Sequence, residues 1–198
     1  MVAFGVGFIV KADMGVLPTT CLPIVLSNVI GITIGKAVIL FQGILIIAQI
    51  IVLRGEYNII QLLQVPIGFG FGYLTDFALF VLRGIGNLSY LEKWVWFLVG
   101  VVISAIGVSM EVVAGVGTLA TEGFVLAVSK KIPISFGTLK AVFDILLVLI
   151  SMVISLLLAH RIIGIREGTV FSAVLLGMIS KYFINIIQKY WHIYEQRK

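Results

Sequence analysis

Lys11-Ala12-Asp13-Met14-Gly15-Val16-Leu17-Pro18-Thr19-Thr20-Cys21-Leu22-Pro23 sets two charges, two prolines and two threonines into an otherwise hydrocarbon-like chain. The 198 residues around it are 61% hydrophobic and 12% charged, with a mean hydropathy of +1.19. That composition cannot supply the polar surface of a soluble domain. A helix needs about 20 apolar residues to cross the hydrocarbon core of a bilayer. Five stretches qualify: 32–53, 59–82, 94–114, 135–158 and 168–187. Residues 2–10 form a sixth apolar run of about half the needed length. Apolar side chains cover all faces of these runs, so the chain reads as embedded in lipid rather than lying on it.

An internal repeat explains the polar insertion. At a constant offset of 102, 14 of the 43 residues from 3 to 45 are identical to their mates, including Gly5/Gly107, Gly15/Gly117, Leu17/Leu119, Thr19/Thr121, Ser27/Ser129, Gly35/Gly137 and Phe41/Phe143. Roughly a tenth would match by chance in so apolar a chain. At offset 105 the similarity continues, with Gly72-Tyr73-Leu74-Thr75-Asp76-Phe77 lying on Gly177-Met178-Ile179-Ser180-Lys181-Tyr182. Each half, about 1–83 and 94–189, reads as a span, a short polar-edged segment and two more spans. The short segments, 17–30 and 119–132, would be about 21 Å long as helices, less than the core thickness.

With three spans per half, the second half starts on the opposite side of the membrane, so the repeat is inverted. The expected fold is therefore all-α: one polytopic membrane bundle over 1–198, with six spans in two inverted three-span repeats, each holding a re-entrant or broken helix. Irregular backbone at membrane depth is tolerated only where protein buries it or water lines it. The opening stretch and its partner, 113–123, are accordingly expected to border a central cavity. The first span is about eight residues shorter than its twin, which suggests a chain that begins late. Basic residues divide into one set at the amino terminus, Arg54, Lys130, Lys131, Lys189, Arg197 and Lys198, and another at Lys11, Lys36, Arg83, Lys93, Arg161 and Arg166. The Lys130-Lys131 pair and the basic tail favour both termini in the cytoplasm. Tyr90, Trp94 and Trp96, and at the other interface Tyr190, Trp191 and Tyr194, fit aromatic belts.

Soluble chemistry finds few residues to work with. The single cysteine, Cys21, excludes an internal disulfide, and His160 and His192 stand at a span end and in the tail. No CxxC or HExxH spacing occurs, so neither a metal nor a cofactor is expected. Gly68-Phe69-Gly70-Phe71-Gly72 lies inside a span with no strand before it, so it is not a phosphate loop. Gly68 and Gly72, like Gly31 and Gly35, have the spacing that lets helix backbones approach in lipid. The net charge of +5 is scattered along the chain, which suits lipid headgroups better than nucleic acid.

Lys11-Ala12-Asp13-Met14-Gly15, Thr33-Ile34-Gly35-Lys36, Gln64-Val65-Pro66, Gly72-Tyr73-Leu74-Thr75-Asp76 and Arg166-Glu167-Gly168-Thr169 together resemble the YczE/YyaS/YitT-like bacterial membrane proteins over nearly the whole chain. The resemblance implies a multi-pass protein of the bacterial inner membrane and names no substrate.

Ionisable and polar groups within spans usually face a bundle interior. The candidate cavity residues are Asp13, Thr19, Thr20, Gln42, Thr121, Glu122 and Asp144. Asp144 lies about 13 Å into its span, and its repeat mate is Gln42; it either lines the cavity or pairs with Lys140 one turn earlier. Asp76 and Lys181 occupy equivalent places, so they either pair across a pseudo-twofold axis or reach interfacial water separately. Thr19 and Thr121 suit helix N-caps or contact with a solute, and Glu122 suits a helix first turn. Glu111 and Lys11 read as interfacial. No acid, base and nucleophile can be assembled from these residues, so no catalytic residue is assigned. A secondary transporter or permease for a small polar or charged solute leads. A capture subunit of a larger transport complex and a non-transporting scaffold are the alternatives. The lipid bilayer is the expected partner, and self-association is left open.

Overall fold

A computed structural model describes residues 1–86, 88–114 and 118–195, with side chains through 189. Gly117 of the Gly15/Gly117 match, residues 115–117 of the second polar segment, the side chains of Tyr190, Trp191, His192 and Tyr194, and Arg197 and Lys198 lie outside the described residues. The described chain is all-helical: α1 (Val2–Ala12), α2 (Pro18–Ile30), α3 (Ile34–Leu53), α4 (Gln64–Val81), α5 (Tyr90–Ala114), α6 (Ala120–Ser129), α7 (Phe136–Ala159) and α8 (Glu167–Glu195). Short 3-10 turns, among them Ile59–Leu63, link some of them. Five are long and apolar enough to cross a membrane: α3, α4 with its flanking turns, α5, α7 and α8. Their outer faces carry large bare hydrocarbon side chains such as Ile47, Ile51, Phe77 and Leu157. A water-soluble protein would not leave so much apolar surface uncovered.

Local chemistry sets the helix ends. Pro18 starts α2, where its missing N–H is no loss. Gly31 ends that helix with a φ of 75° and donates its N–H to the Ser27 carbonyl, 3.0 Å away. Thr33 caps α3 by accepting from Lys36 N, and Ser135 caps α7 by accepting from Thr138 N. The expected threonine caps of the short helices are not made: Leu17 and Leu119 hold the N-cap positions of α2 and α6, so Thr19 and Thr121 lie inside the helices.

α1, at 11 residues, is about 16 Å long. It is buried between α5 and α4. Small residues permit the crossing of α1 and α5. A Cβ on Gly5 would lie 2.7 Å from the Gly100 carbonyl oxygen and collide with Ser104, while one on Gly107 would lie 2.6 Å from Val2. α8 packs on α5, α4 on α3, α7 on α2 and α6 on α3, whereas α7 and α8 barely touch among the described residues. The main core joins α1, the 14–24 segment, Phe97 and Val101. A smaller one joins Phe41, Leu45 and Ile46 of α3 to Ala120 and Leu147.

Surface ion pairs join segments distant in the chain. Asp13 meets Lys93 at 3.2 Å and Arg166 at 2.8 Å, and Glu56 meets Lys131 at 2.7 Å.

Candidate functional site: a central cavity and two helix clasps

Every helix contributes to a cavity of about 560 Å³ at the centre of the bundle. Thr19, Thr20, Gln42, Thr121, Glu122 and Asp144 all line it, as does Lys140. They meet because of the pairing of elements: α2 lies on α7 and α6 on α3, so both short helices present their first turns to the same space. Most of the remaining wall is apolar, with Phe41, Phe71 and Phe136 among its members.

The polar wall residues differ in how well they are satisfied. Lys140 Nζ donates to Asp144 Oδ1 at 2.5 Å, one turn away on the same helix, and both side chains stand on the cavity wall. Thr20 turns its hydroxyl back to the Leu17 carbonyl at 2.9 Å. Thr121 donates to Glu122 Oε2 at 2.5 Å, and no cation lies within 4 Å of Glu122 among the described residues. Gln42 is 4% exposed, and its enclosed Oε1 has no hydrogen-bond partner among the described residues. Pro23, inside α2 and also on the wall, has no N–H for the Thr19 carbonyl four residues earlier.

Asp13 does not belong to the cavity. Its side chain is exposed, and its backbone ends α1 in the left-handed region with a φ of 50°. The stretch 13–16 instead forms a clasp with the start of α8. Arg166 donates to the Asp13 carbonyl at 2.6 Å, Gly168 N to the Met14 carbonyl at 2.8 Å, and Val16 N to Thr169 Oγ1 at 3.1 Å. Gly15 is required there: its φ is 125°, and a Cβ would lie 2.6 Å from Thr169 N. The KADMG and REGT motifs therefore meet. Only the LPTTCLP part of the opening stretch, from Leu17 onward, reaches the cavity wall.

Asp76 and Lys181 do not pair. Asp76 Oδ2 accepts the Thr33 hydroxyl at 2.6 Å, and Oδ1 accepts Gly35 N at 2.8 Å, while Lys181 is exposed. The carboxylate is held by the N-terminus of α3, where backbone donors and the helix dipole both favour an anion. The same two helices touch backbone to backbone, since a Cβ on Gly72 would lie 2.6 Å from the Gly35 carbonyl oxygen. This second clasp again joins two motifs, TIGK and GYLTD. Their repeat mates behave differently: a Cβ on Gly137 or Gly177 would meet nothing within 4 Å, and both glycines line the cavity.

Gln49, and Gln64 of the Gln64-Val65-Pro66 motif, form a further buried polar contact. Gln49, fully buried in α3, donates to Gln64 Oε1 at 3.0 Å and to the Ala120 carbonyl at 3.1 Å, tying the start of α6 to α3 and α4. Buried amides in an apolar span were the available signal. Glu111, expected at the interface, accepts Leu119 N at 2.5 Å and anchors the same helix start.

The chain belongs to a family of unknown function, DUF6198. The family model matches residues 1–185, a span that takes in the whole cavity wall and both clasps. No curated protein and no solved structure matches the chain. Among the described residues of this DUF6198 protein, no three His, Cys, Asp or Glu side chains gather as metal ligands do.

Proposed function

We propose that this DUF6198 protein is a secondary transporter or permease of the bacterial inner membrane that moves a small polar or charged solute by alternating access between two inverted halves. Exchanging α1 with α5, α2 with α6, α3 with α7 and α4 with α8 maps most of the packing onto itself: α5 on α8 answers α1 on α4, and α2 on α7 answers α6 on α3. The exchange extends to single contacts, for Gly5 meets Ser104 and Gly107 meets Val2, where Ser104 is the repeat mate of Val2. Kinship with the YczE/YyaS/YitT-like proteins is part of the proposal, supported by the motifs that meet in pairs. The orientation with both termini cytoplasmic also belongs to it.

One observation carries the mechanism. α3 and α4 are clasped through Gly35 and Gly72, whereas their mates α7 and α8 stand apart at Gly137 and Gly177. Two halves built from one repeat hold two conformations at once, so each half has access to the other's. Closing α7 on α8 while α3 and α4 part would move the cavity mouth from one half to the other. The test uses Gly137→Cys with Gly177→Cys in a Cys21→Ala background. A disulfide requires Cα atoms about 4.4 to 6.8 Å apart, a separation that closure of the second half in the manner of the first would reach. Cross-links should accumulate under oxidant in membranes, and purified protein in vesicles should support solute flux unaided. Absence of the cross-link under all conditions would reject alternating access. Flux that required an ATPase partner would favour the capture-subunit alternative.

A further inference from the structure

The charge balance of the wall narrows the solute. Lys140 and Asp144 neutralise each other at 2.5 Å. Glu122 remains, part-buried, with one hydroxyl donor and no cation within 4 Å among the described residues. Gln42, almost wholly buried on α3, adds an amide whose enclosed oxygen has no hydrogen-bond partner among the described residues, and the Thr19 carbonyl lacks its helical partner at Pro23. These three groups stand on α6, α3 and α2 and share one cavity. All can accept hydrogen bonds. A carboxylate without a counter-ion in a low-dielectric space is strongly disfavoured unless a cation joins it.

We propose that the cavity takes a small organic monocation with N–H donors and an apolar body, of the alkylammonium or alkylguanidinium class, whose charged end meets Glu122 while its N–H groups reach the Thr19 carbonyl and, once the enclosed amide turns toward the cavity, Gln42. The proposal rests on the transport reading of the same cavity. An inorganic ion is a poorer fit. About 560 Å³ is far more than a bare ion occupies, and most of the wall is hydrocarbon rather than the five or more oxygens that hard cations collect. Phe41, Phe71 and Phe136 suit the apolar body, and their ring faces favour a cation nearby.

Detergent-purified full chain would be titrated calorimetrically with n-butylammonium, tetramethylammonium, butyramide, butyrate and sodium, all at one ionic strength. Butylammonium should bind saturably and at least about tenfold more tightly than the neutral amide or the anion; tetramethylammonium, lacking N–H donors, should be weaker than butylammonium. Glu122→Gln should weaken butylammonium binding at least about tenfold without lowering the melting temperature of the ligand-free protein. Gln42→Met should weaken butylammonium more than tetramethylammonium, a difference that a merely structural role would not produce. If Glu122→Gln fails to fold, Glu122→Asp takes its place and should retain the preference for cations. Equal binding of butyramide, preference for butyrate or sodium, or full amine affinity in folded Glu122→Gln would overturn the proposal. The cross-link between positions 137 and 177 needs no ligand, so the two readings fail separately. A cross-link without amine binding rejects the cation alone. Amine binding without a cross-link rejects the access mechanism alone.

Discussion

Replacing Asp76 tests whether the α3–α4 clasp is held by the hydrogen bonds seen or by the ion pair that the repeat suggests. Each oxygen of the carboxylate accepts one donor, Thr33 Oγ1 at 2.6 Å and Gly35 N at 2.8 Å. Hydrogen bonds to charged groups contribute roughly 1.5 to 3 kcal/mol each, and an anion at a helix N-terminus adds about 0.3 to 1 kcal/mol. Asp76 is only half-buried, so solvent screening argues for the lower ends of these ranges. Asp76→Ala should therefore destabilise the protein by about 3 kcal/mol, while Lys181→Ala should lie within about 0.5 kcal/mol of the parent. The assay is reversible unfolding in mixed detergent and dodecyl sulfate micelles, followed by tryptophan fluorescence. In double-mutant cycles Asp76 and Thr33 should couple by more than about 1 kcal/mol, and Asp76 and Lys181 by less than about 0.3 kcal/mol. A loss below 1 kcal/mol for Asp76→Ala, or strong coupling of Asp76 to Lys181, would refute the reasoning.

Glycine substitutions should separate the two halves. Gly72→Ala drives a Cβ to 2.6 Å from the Gly35 carbonyl oxygen and should lose about 2 kcal/mol or more. Gly137→Ala and Gly177→Ala enter open space and should be neutral or gain up to about 1 kcal/mol from helix propensity, as read by the same unfolding assay. Lys140→Met strands Asp144 and should destabilise by about 3 kcal/mol; adding Asp144→Asn should recover more than half of the loss. Gly86→Cys, in the 84–92 loop, should react with an impermeant maleimide on intact cells if both termini are cytoplasmic, and labelling only after lysis would reverse the topology.

The sequence resolved the pattern of helices because burial in lipid is a demand on composition, readable one residue at a time. The five long apolar helices and the short segments follow from hydropathy and one repeat offset, and Thr19, Gln42, Thr121, Glu122 and Asp144 line one cavity. Partnerships followed less well, because they depend on rotations about helix axes that the offset does not contain. Asp76 and Lys181 are equivalent by register, yet equivalence under a twofold exchange does not require contact. Asp76 finds the nearer donors of its own half. Asp13 was assigned to the cavity for its neighbours in sequence. A left-handed backbone at Asp13 and a φ of 125° at Gly15 turn that segment outward to α8 instead. The Gln49–Gln64 bridge is not legible in the sequence, because its two glutamines lie 15 residues apart across an irregular turn, where helical spacing gives no signal.

Lys181 marks where the halves cease to be equal, and that inequality can be given a size. In the first half Asp76 accepts the N-terminal donors of α3; in the second, Lys181 stands at the matching place and can accept nothing from Ser135 or Gly137. α7 is left with its own cap, Ser135 to Thr138 N at 3.3 Å. If closure of the second half differs from closure of the first by the Asp76 hydrogen bonds, the bias is about 3 kcal/mol, or roughly 150 to 1 in population. The state with α7 closed on α8 would then hold under about 1% of molecules, within the range of minor states that ligands recruit. Lys181→Asp should supply the missing acceptor and bring the two states to comparable populations. The cross-link between cysteines at 137 and 177 should then form some 50-fold faster or more, because its rate follows the closed fraction. Lys181→Met removes the charge without adding an acceptor and should leave the rate within a few-fold of the parent. Equal acceleration by both variants would mean that the lysine charge holds the second half open, and that the acceptor chemistry of the first half has no counterpart in the second.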